Sequence, residues 1–337
     1  MIQPSMRRAF ATTLSCALVA ILVLAAPACR RAKSSPAAAA IEARAATESS
    51  AREPAAREEV DPCVEATAPE SGTRTIDSDG RSRSATIDFP TVDPAASPIA
   101  ARPLLFAFHG WGGSPEQLER TTKIAETARA RGFIVVRPSG VGRSFNAGTC
   151  CGDAAEAGVD DVAYVRRLVG VVAKETCVDR KRIYATGFSN GGFFAHRLGC
   201  EASDLVAAIA SVSGTSDDDM LARCAPTRPV PVLHVHGARD KIVKFDGDDA
   251  HGWSSVAEVI AAWTRLNRCS LEGSMETFTH GHATCVRSGP CEGGAEVTLC
   301  RDERAGHTWP GGPKSFGYGG TQDLDATTTI LDFFDRH

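Results

Sequence analysis

The sequence has no excess of positive charge: 37 Lys and Arg stand against 41 Asp and Glu in 337 residues, a formal net charge of −4. Phosphate backbones attract broad basic surfaces, so this balance excludes nucleic acid as an expected partner. No segment repeats at a fixed period, which excludes a solenoid or propeller assembled from copies of one unit. A metal motif is also lacking. His234 and His236 share one face of an apolar segment, and His280 and His282 repeat the His-x-His spacing. Neither pair has a third ligand nearby in a recognised pattern, so no metal is expected.

At the amino terminus, Arg7 and Arg8 precede a run from Ala9 to Ala26 that is apolar apart from Thr12, Thr13 and Ser15. The run is barely long enough to cross a bilayer, and Ala26 and Ala28 offer an A-x-A cleavage site, so residues 1–28 read as an export signal. Residues 29–62 are rich in Ala, Arg and Glu without an apolar period. Such a segment buries too little to offset its ordering entropy and reads as a disordered tether. Cys29, just past the apolar run, resembles the lipid-modified cysteine of bacterial lipoproteins, although Pro27 departs from that pattern. Membrane anchoring through a lipid on Cys29 and plain secretion both stand as expectations, and no protein partner is inferred.

Ten cysteines follow: Cys63, Cys150, Cys151, Cys177, Cys200, Cys224, Cys269, Cys285, Cys291 and Cys300. An even number in an exported chain favours disulfides. Cys200 and Cys224, which bracket one predicted strand and its loop, are the favoured pair. The adjacent Cys150 and Cys151 are expected to pair with different partners.

Thr73 to Asp77 and Ser84 to Phe89 alternate as an antiparallel hairpin turning through Ser78, Asp79 and Gly80. Strands and helices then alternate. Strands are predicted at Leu104–Phe108, Phe133–Arg137, Arg182–Thr186, Leu205–Val212, Val230–His236 and Glu296–Cys300. Helices are predicted at Pro115–Arg131, Asp160–Thr176, from Ser189 to about Gly199, Ser254–Arg268 and Asp323–Asp335. This order predicts an α/β fold with a mostly parallel sheet and helices on both faces.

Gly187-Phe188-Ser189-Asn190-Gly191 matches G-x-S-x-G. The match alone is weak, but it follows an apolar strand and opens a helix, the strand-turn-helix that a nucleophile elbow requires. A serine hydroxyl needs a base, and the base needs an orienting carboxylate, expected here in the order Ser, Asp, His. Asp240, just past the carboxyl end of the predicted strand Val230–His236, is the acid, with Asp246 and Asp248 as rivals. His307, in a Gly- and Pro-rich loop after Glu296–Cys300, is the base. Asp240 would hold the His307 ring in the tautomer that accepts the serine proton. Two amides are expected to hold the oxyanion: that of Asn190 and one from His109-Gly110-Trp111-Gly112-Gly113, with Trp111 preferred to Gly112. His109 is read as a brace for that loop. Gly112, Asn146 and Trp309 are candidate substrate contacts, although Asn146 also suits a stapled loop and Trp309 also suits loop packing.

Six ordered segments carry a family resemblance: His109 to Ser114, Phe145 to Gly152, Gly158 to Val162, Gly187 to Gly192, His236 to Asp240 and Gly306 to Gly312. Together they resemble the polyhydroxybutyrate depolymerase and feruloyl esterase family of secreted α/β-hydrolases, from roughly Ile76 onward. The resemblance implies ester hydrolysis through an acyl-enzyme by Ser189, Asp240 and His307, without metal or organic cofactor, in a catalytic domain spanning 63–337. It implies a polyester oligomer of short hydroxyacids or a plant-wall ester, feruloyl or acetyl on xylan, as substrate. Appended polymer-binding domains are not recognised in this sequence, so short, soluble esters are the expectation. Acyl transfer to another hydroxyl and a surface binding protein that has kept the scaffold without turnover are the competing readings.

Overall fold

The computed structural model describes residues 63, 69–91, 100–270, 272–312 and 320–337. The export signal, the tether and Cys29 lie outside the described residues.

Among the described residues, ten strands form one sheet in the order β1-β2-β4-β3-β5-β6-β7-β10-β9-β8. The strands are β1 Gly72–Ser78, β2 Arg81–Asp88, β3 Arg102–Phe108, β4 Ile134–Pro138, β5 Val178–Phe188, β6 Ala208–Val212, β7 Val232–Gly237, β8 Met275–His280, β9 Ala283–Arg287 and β10 Val297–Asp302. The block from β4 to β10 is parallel throughout. Antiparallel hairpins extend it at both ends. The sheet is therefore mostly parallel, as the alternation of elements predicts.

Each central strand is buried on both sides. Leu104, Phe106 and Phe108 face one core with Tyr164, Leu168, Phe194 and Trp263, while Leu105 and Ala107 face the other with Leu118, Ile124, Ile330 and Phe334. Helices thus cover both faces: α4 Asp161–Glu175, α5 Asn190–Glu201 and α7 Val256–Leu266 pack on one, and α1 Pro115–Thr122, α2 Ile124–Ala130 and α8 Ala326–Phe334 on the other. Two short helices, α3 Asp153–Glu156 and α6 Asp218–Arg223, lie in connections and were not predicted.

Two expectations are corrected, and one hairpin is found where none was predicted. The single helix expected over Pro115–Arg131 is two, broken at Lys123 with φ 56°. There the Glu119 carboxylate accepts the amides of Ala125 and Glu126, caps that an unbroken helix would not need. The β8–β9 hairpin went unread because β8 is exposed at every position and offers no apolar alternation. Finally, Cys150 and Cys151 are bonded to each other, beside Cys63–Cys177, Cys200–Cys224, Cys269–Cys291 and Cys285–Cys300. Cys200–Cys224 agrees with the expected pair, and all ten cysteines are paired.

Candidate active site

Ser189 stands between β5 and α5 with φ 56° and ψ −121°, a conformation that costs a non-glycine residue roughly 1–3 kcal/mol and is held by its surroundings. Its amide donates to Val212 O at 2.9 Å, and its carbonyl accepts from Gly192 N and Phe193 N. The flanking glycines are steric requirements. A β-carbon on Gly187 would run into the Gly191 backbone, and one on Gly191 would run into the Phe108 carbonyl.

Asp240 follows β7 in a tight turn. Its Oδ1 accepts the amides of Ile242 at 2.8 Å and Val243 at 2.9 Å, and its Oδ2 lies 2.7 Å from His307 Nδ1. Both residues are buried. With Nδ1 donating to the carboxylate, Nε2 of His307 is left as the acceptor face of the ring. His307 also lies against Phe188, ring centroids 4.8 Å apart, and lines the same cavity of about 720 Å³ as Ser189. The structure therefore brings the three sequence-predicted residues to one place, at the carboxyl ends of β5, β7 and β10. The rivals Asp246 and Asp248 make no such contact. Asp248 pairs with Lys244 at 2.9 Å and with His251.

The loop after β3 forms part of the cavity wall. The Gly112 amide donates to Arg143 O at 2.8 Å and that of Gly113 to Gly110 O at 2.9 Å, so neither faces the cavity free. Among the described residues no acceptor takes the amide of Trp111, and the amide of Asn190 opens α5 as its first residue, without an intrahelical acceptor. His109 braces this loop: Nδ1 meets Gly110 O at 2.8 Å and Nε2 accepts from Gly140 N at 3.2 Å. Burial lowers its pKa, which keeps the ring neutral in that role.

Two candidate substrate residues are corrected. Trp309 is buried, donates from Nε1 to Thr327 Oγ1 at 3.0 Å, and packs with the α8 core. Asn146 turns its amide to Val159 O at 2.9 Å and its backbone N–H to Asp161 at 2.7 Å, away from the cavity. Gly112 does line the cavity. Sequence reasoning missed Ile242 and the stacked pair His251 and Trp253, centroids 4.8 Å apart, which line it as well. They sit in an irregular connection before α7 and carry no motif.

The loop 145–152 closes the outer side and is hung on buried groups. The Asn190 side chain accepts from Phe145 N at 2.8 Å and donates to the carbonyls of Phe145 and Cys150. Asp161, which accepts the Asn146 amide, is fully buried and paired with Arg83 at 2.6 Å. Burial pushes its carboxyl up from the ordinary value, against the pull of the Arg83 charge. Thr149, Cys150, Cys151 and Gly152 line the cavity beneath the indole of Trp111, which is 64% exposed. A β-carbon on Gly152 would meet Trp111 Nε1 at 2.6 Å, so this glycine leaves the room that the indole occupies.

A family model described as phospholipase/carboxylesterase matches residues 99–288. Feruloyl esterase B of Piromyces equi is 32% identical over 224 residues, 61% of this chain and 40% of its own length. The esterase candidate NocK of Nocardia uniformis subsp. tsuyamanensis is 30% identical over 259 residues, 69% of this chain and 74% of its own. The bifunctional acetylxylan esterase/xylanase XynS20E of Neocallimastix patriciarum is 27% identical over 210 residues, and the aligned part is 29% of its length. The chain thus spans well under two thirds of the Piromyces and Neocallimastix proteins. Among solved structures, acetyl xylan esterase from Aspergillus awamori superposes with a TM-score of 0.56 at 14% identity, covering 79% of this chain and 100% of that one, a likeness of fold.

Proposed function

The chain belongs to the phospholipase/carboxylesterase family as a feruloyl esterase-like member, and from that premise we propose that it is an exported serine esterase working through Ser189, His307 and Asp240. The observation that carries the reading is the 2.7 Å bond from buried Asp240 to His307 Nδ1, with His307 and Ser189 lining one cavity. His307 Nε2 takes the Ser189 proton as Oγ attacks the ester carbonyl carbon, and the carbonyl oxygen becomes an oxyanion held by the amides of Asn190 and Trp111. His307 then gives that proton to the departing alcohol, leaving an acyl-enzyme. Water, deprotonated by the same ring, releases the acid and restores Ser189. The paired cysteines support work outside the reducing cytosol, and residues 1–28 as a signal ahead of a 29–62 tether supply the route.

The substrate reading that fits the cavity best is a plant-wall ester with an aromatic acyl group. Trp111, Trp253, Phe188 and Ile242 give the lining large apolar faces, and flat rings stack on such faces. The relatives named as feruloyl and acetylxylan esterases support the same class. Short hydroxyalkanoate oligomers are the second reading, supported by the resemblance of the six ordered segments from His109 to Gly312 to the polyhydroxybutyrate depolymerase family. Turnover of p-nitrophenyl acetate, methyl ferulate, acetylated xylan and hydroxybutyrate oligomers, measured side by side, separates them. Methyl ferulate is expected to give the highest kcat/KM among the three natural classes. Ser189→Ala should lower turnover on every active substrate by about 10³-fold or more, and undiminished rates would remove the proposed nucleophile.

A further inference from the structure

The His-x-His pair on β7 has a use that does not involve metal. Trp263 Nε1 lies 3.0 Å from His196 Nδ1, His196 Nε2 lies 3.1 Å from His234 Nδ1, and His234 Nε2 lies 3.1 Å from His236 Nδ1. His236 Nε2 then meets Val243 O at 2.9 Å and stands 3.5 Å from Oδ2 of Asp240, the oxygen that holds His307. All three imidazoles are buried, their relative exposure 0–1%.

The two ends of this chain fix its direction. An indole nitrogen only donates, so His196 Nδ1 accepts and its proton is on Nε2; a carbonyl only accepts, so His236 carries its proton on Nε2 as well. His234 between them must accept at Nδ1 and donate from Nε2. Each ring is therefore one defined neutral tautomer. A further proton anywhere would leave two N–H groups facing each other. Burial acts in the same sense, pushing the His196 pKa down to about 3 and lowering those of His234 and His236. Four N–H bonds in a row thus point the same way and polarise one another, ending between Val243 O and the Asp240 carboxylate. Facing that carboxylate from its other sides are the Ile242 and Val243 amides and His307.

We propose that Trp263, His196, His234 and His236 form a one-way hydrogen-bond relay that fixes the Asp240 turn and the orientation of its carboxylate, making His236 a positioning residue that acts on His307 through Asp240. The proposal rests on the assignment of Asp240 and His307 above. It explains why β7, α5 and α7 bury four polar rings where aliphatic side chains would pack without hydrogen-bonding demands.

The first test uses the unmutated protein labelled with ¹⁵N-histidine. Two-bond ¹H–¹⁵N spectra should show three neutral imidazoles protonated on Nε2 and unchanged between about pH 5 and pH 8; a proton on Nδ1 of any of them, or an imidazolium, overturns the relay. The second test is kinetic, with kcat expressed per site titrated by a fluorophosphonate so that unfolded protein is not counted. His236→Leu should lower kcat by about 10-fold, the upper range of one neutral hydrogen bond, with KM within about twofold. His236→Gln, whose side-chain amide can replace the Nε2 donor, should recover most of that loss. Wild-type kcat in the leucine variant, or a glutamine variant no better than leucine, overturns the proposal. If His236→Leu yields no folded protein, Trp263→Phe takes its place: it removes only the first donor and should lower kcat by about threefold, and an unchanged value overturns the relay. Full activity in Ser189→Ala would instead strike the site assignment itself, so the two failures are told apart.

Discussion

The two walls of the cavity are built on different principles. The inner wall, Ser189, Asp240 and His307, stands at the ends of β5, β7 and β10, and its carboxylate is saturated by the Ile242 and Val243 amides and by His307 Nδ1. The outer wall is loop: Trp111 is 64% exposed, Ile242 is 51% exposed, and residues 145–152 are held by side chains such as Asn190, Asp161 and Asp217. Groups that move protons must be held to a fraction of an ångström, and the central strands supply that. Groups that fit a substrate need only surface, and loops supply that with freedom to vary.

Mutations on the two walls should therefore fail in different ways. The largest effect is expected on the inner wall. Asp240→Asn keeps the shape but disturbs the His307 tautomer, and kcat should fall by about 10⁴-fold with little change in KM; steady-state kinetics check this, and an equal rise in KM would make the two walls alike. Next comes Asn190→Ala, which leaves the Phe145 amide and the carbonyls of Phe145 and Cys150 without their partner. Thermal unfolding should register a loss of about 1–3 kcal/mol, accompanied by a raised KM as the outer wall loosens. Trp111→Ala should act on the outer wall alone, raising KM for methyl ferulate by about 3- to 10-fold while p-nitrophenyl acetate is turned over nearly as before. A uniform loss on both substrates would show that its side chain serves the chemistry.

The smallest effect belongs to a site away from both walls. Burial opposes ionisation of Glu296, but contacts from His337, Thr298 and Arg336 outweigh it and hold the carboxyl down at about 2 from the usual 4.5. A depressed carboxyl pKa stabilises the fold above the unfolded value and loses that contribution as pH falls through the folded one. Glu296→Gln should accordingly flatten the decline of stability between about pH 4.5 and pH 2, read by denaturant titration, and leave kcat at neutral pH untouched.

The inner wall was also the part legible in the sequence. A nucleophile elbow imposes local steric demands that only Gly187 and Gly191 meet, and an acid or base at the end of a central strand has few places to point. Outer-wall residues are set by orientation, which sequence nearness does not reveal. Trp309 lies two positions from His307 yet faces Thr327, and Asn146 lies in the cavity loop yet faces Val159. Cys150 and Cys151, expected to pair with different partners, are bonded to each other, a connectivity that sequence nearness does not reveal either. The interrupted helix at Lys123 was unreadable because its two halves share one amphipathic pattern, and the break is fixed by Glu119 folding back on the chain.

The Cys150–Cys151 bridge joins neighbours, so unlike the other four it ties the loop 145–152 to nothing else in the molecule. This stretch is covalently self-contained, a cassette whose oxidation needs no distant partner during maturation. Exchanging this stretch would therefore leave the other four bridges in place, and a replacement need only refill the hydrogen bonds to Asn190 and Asp161.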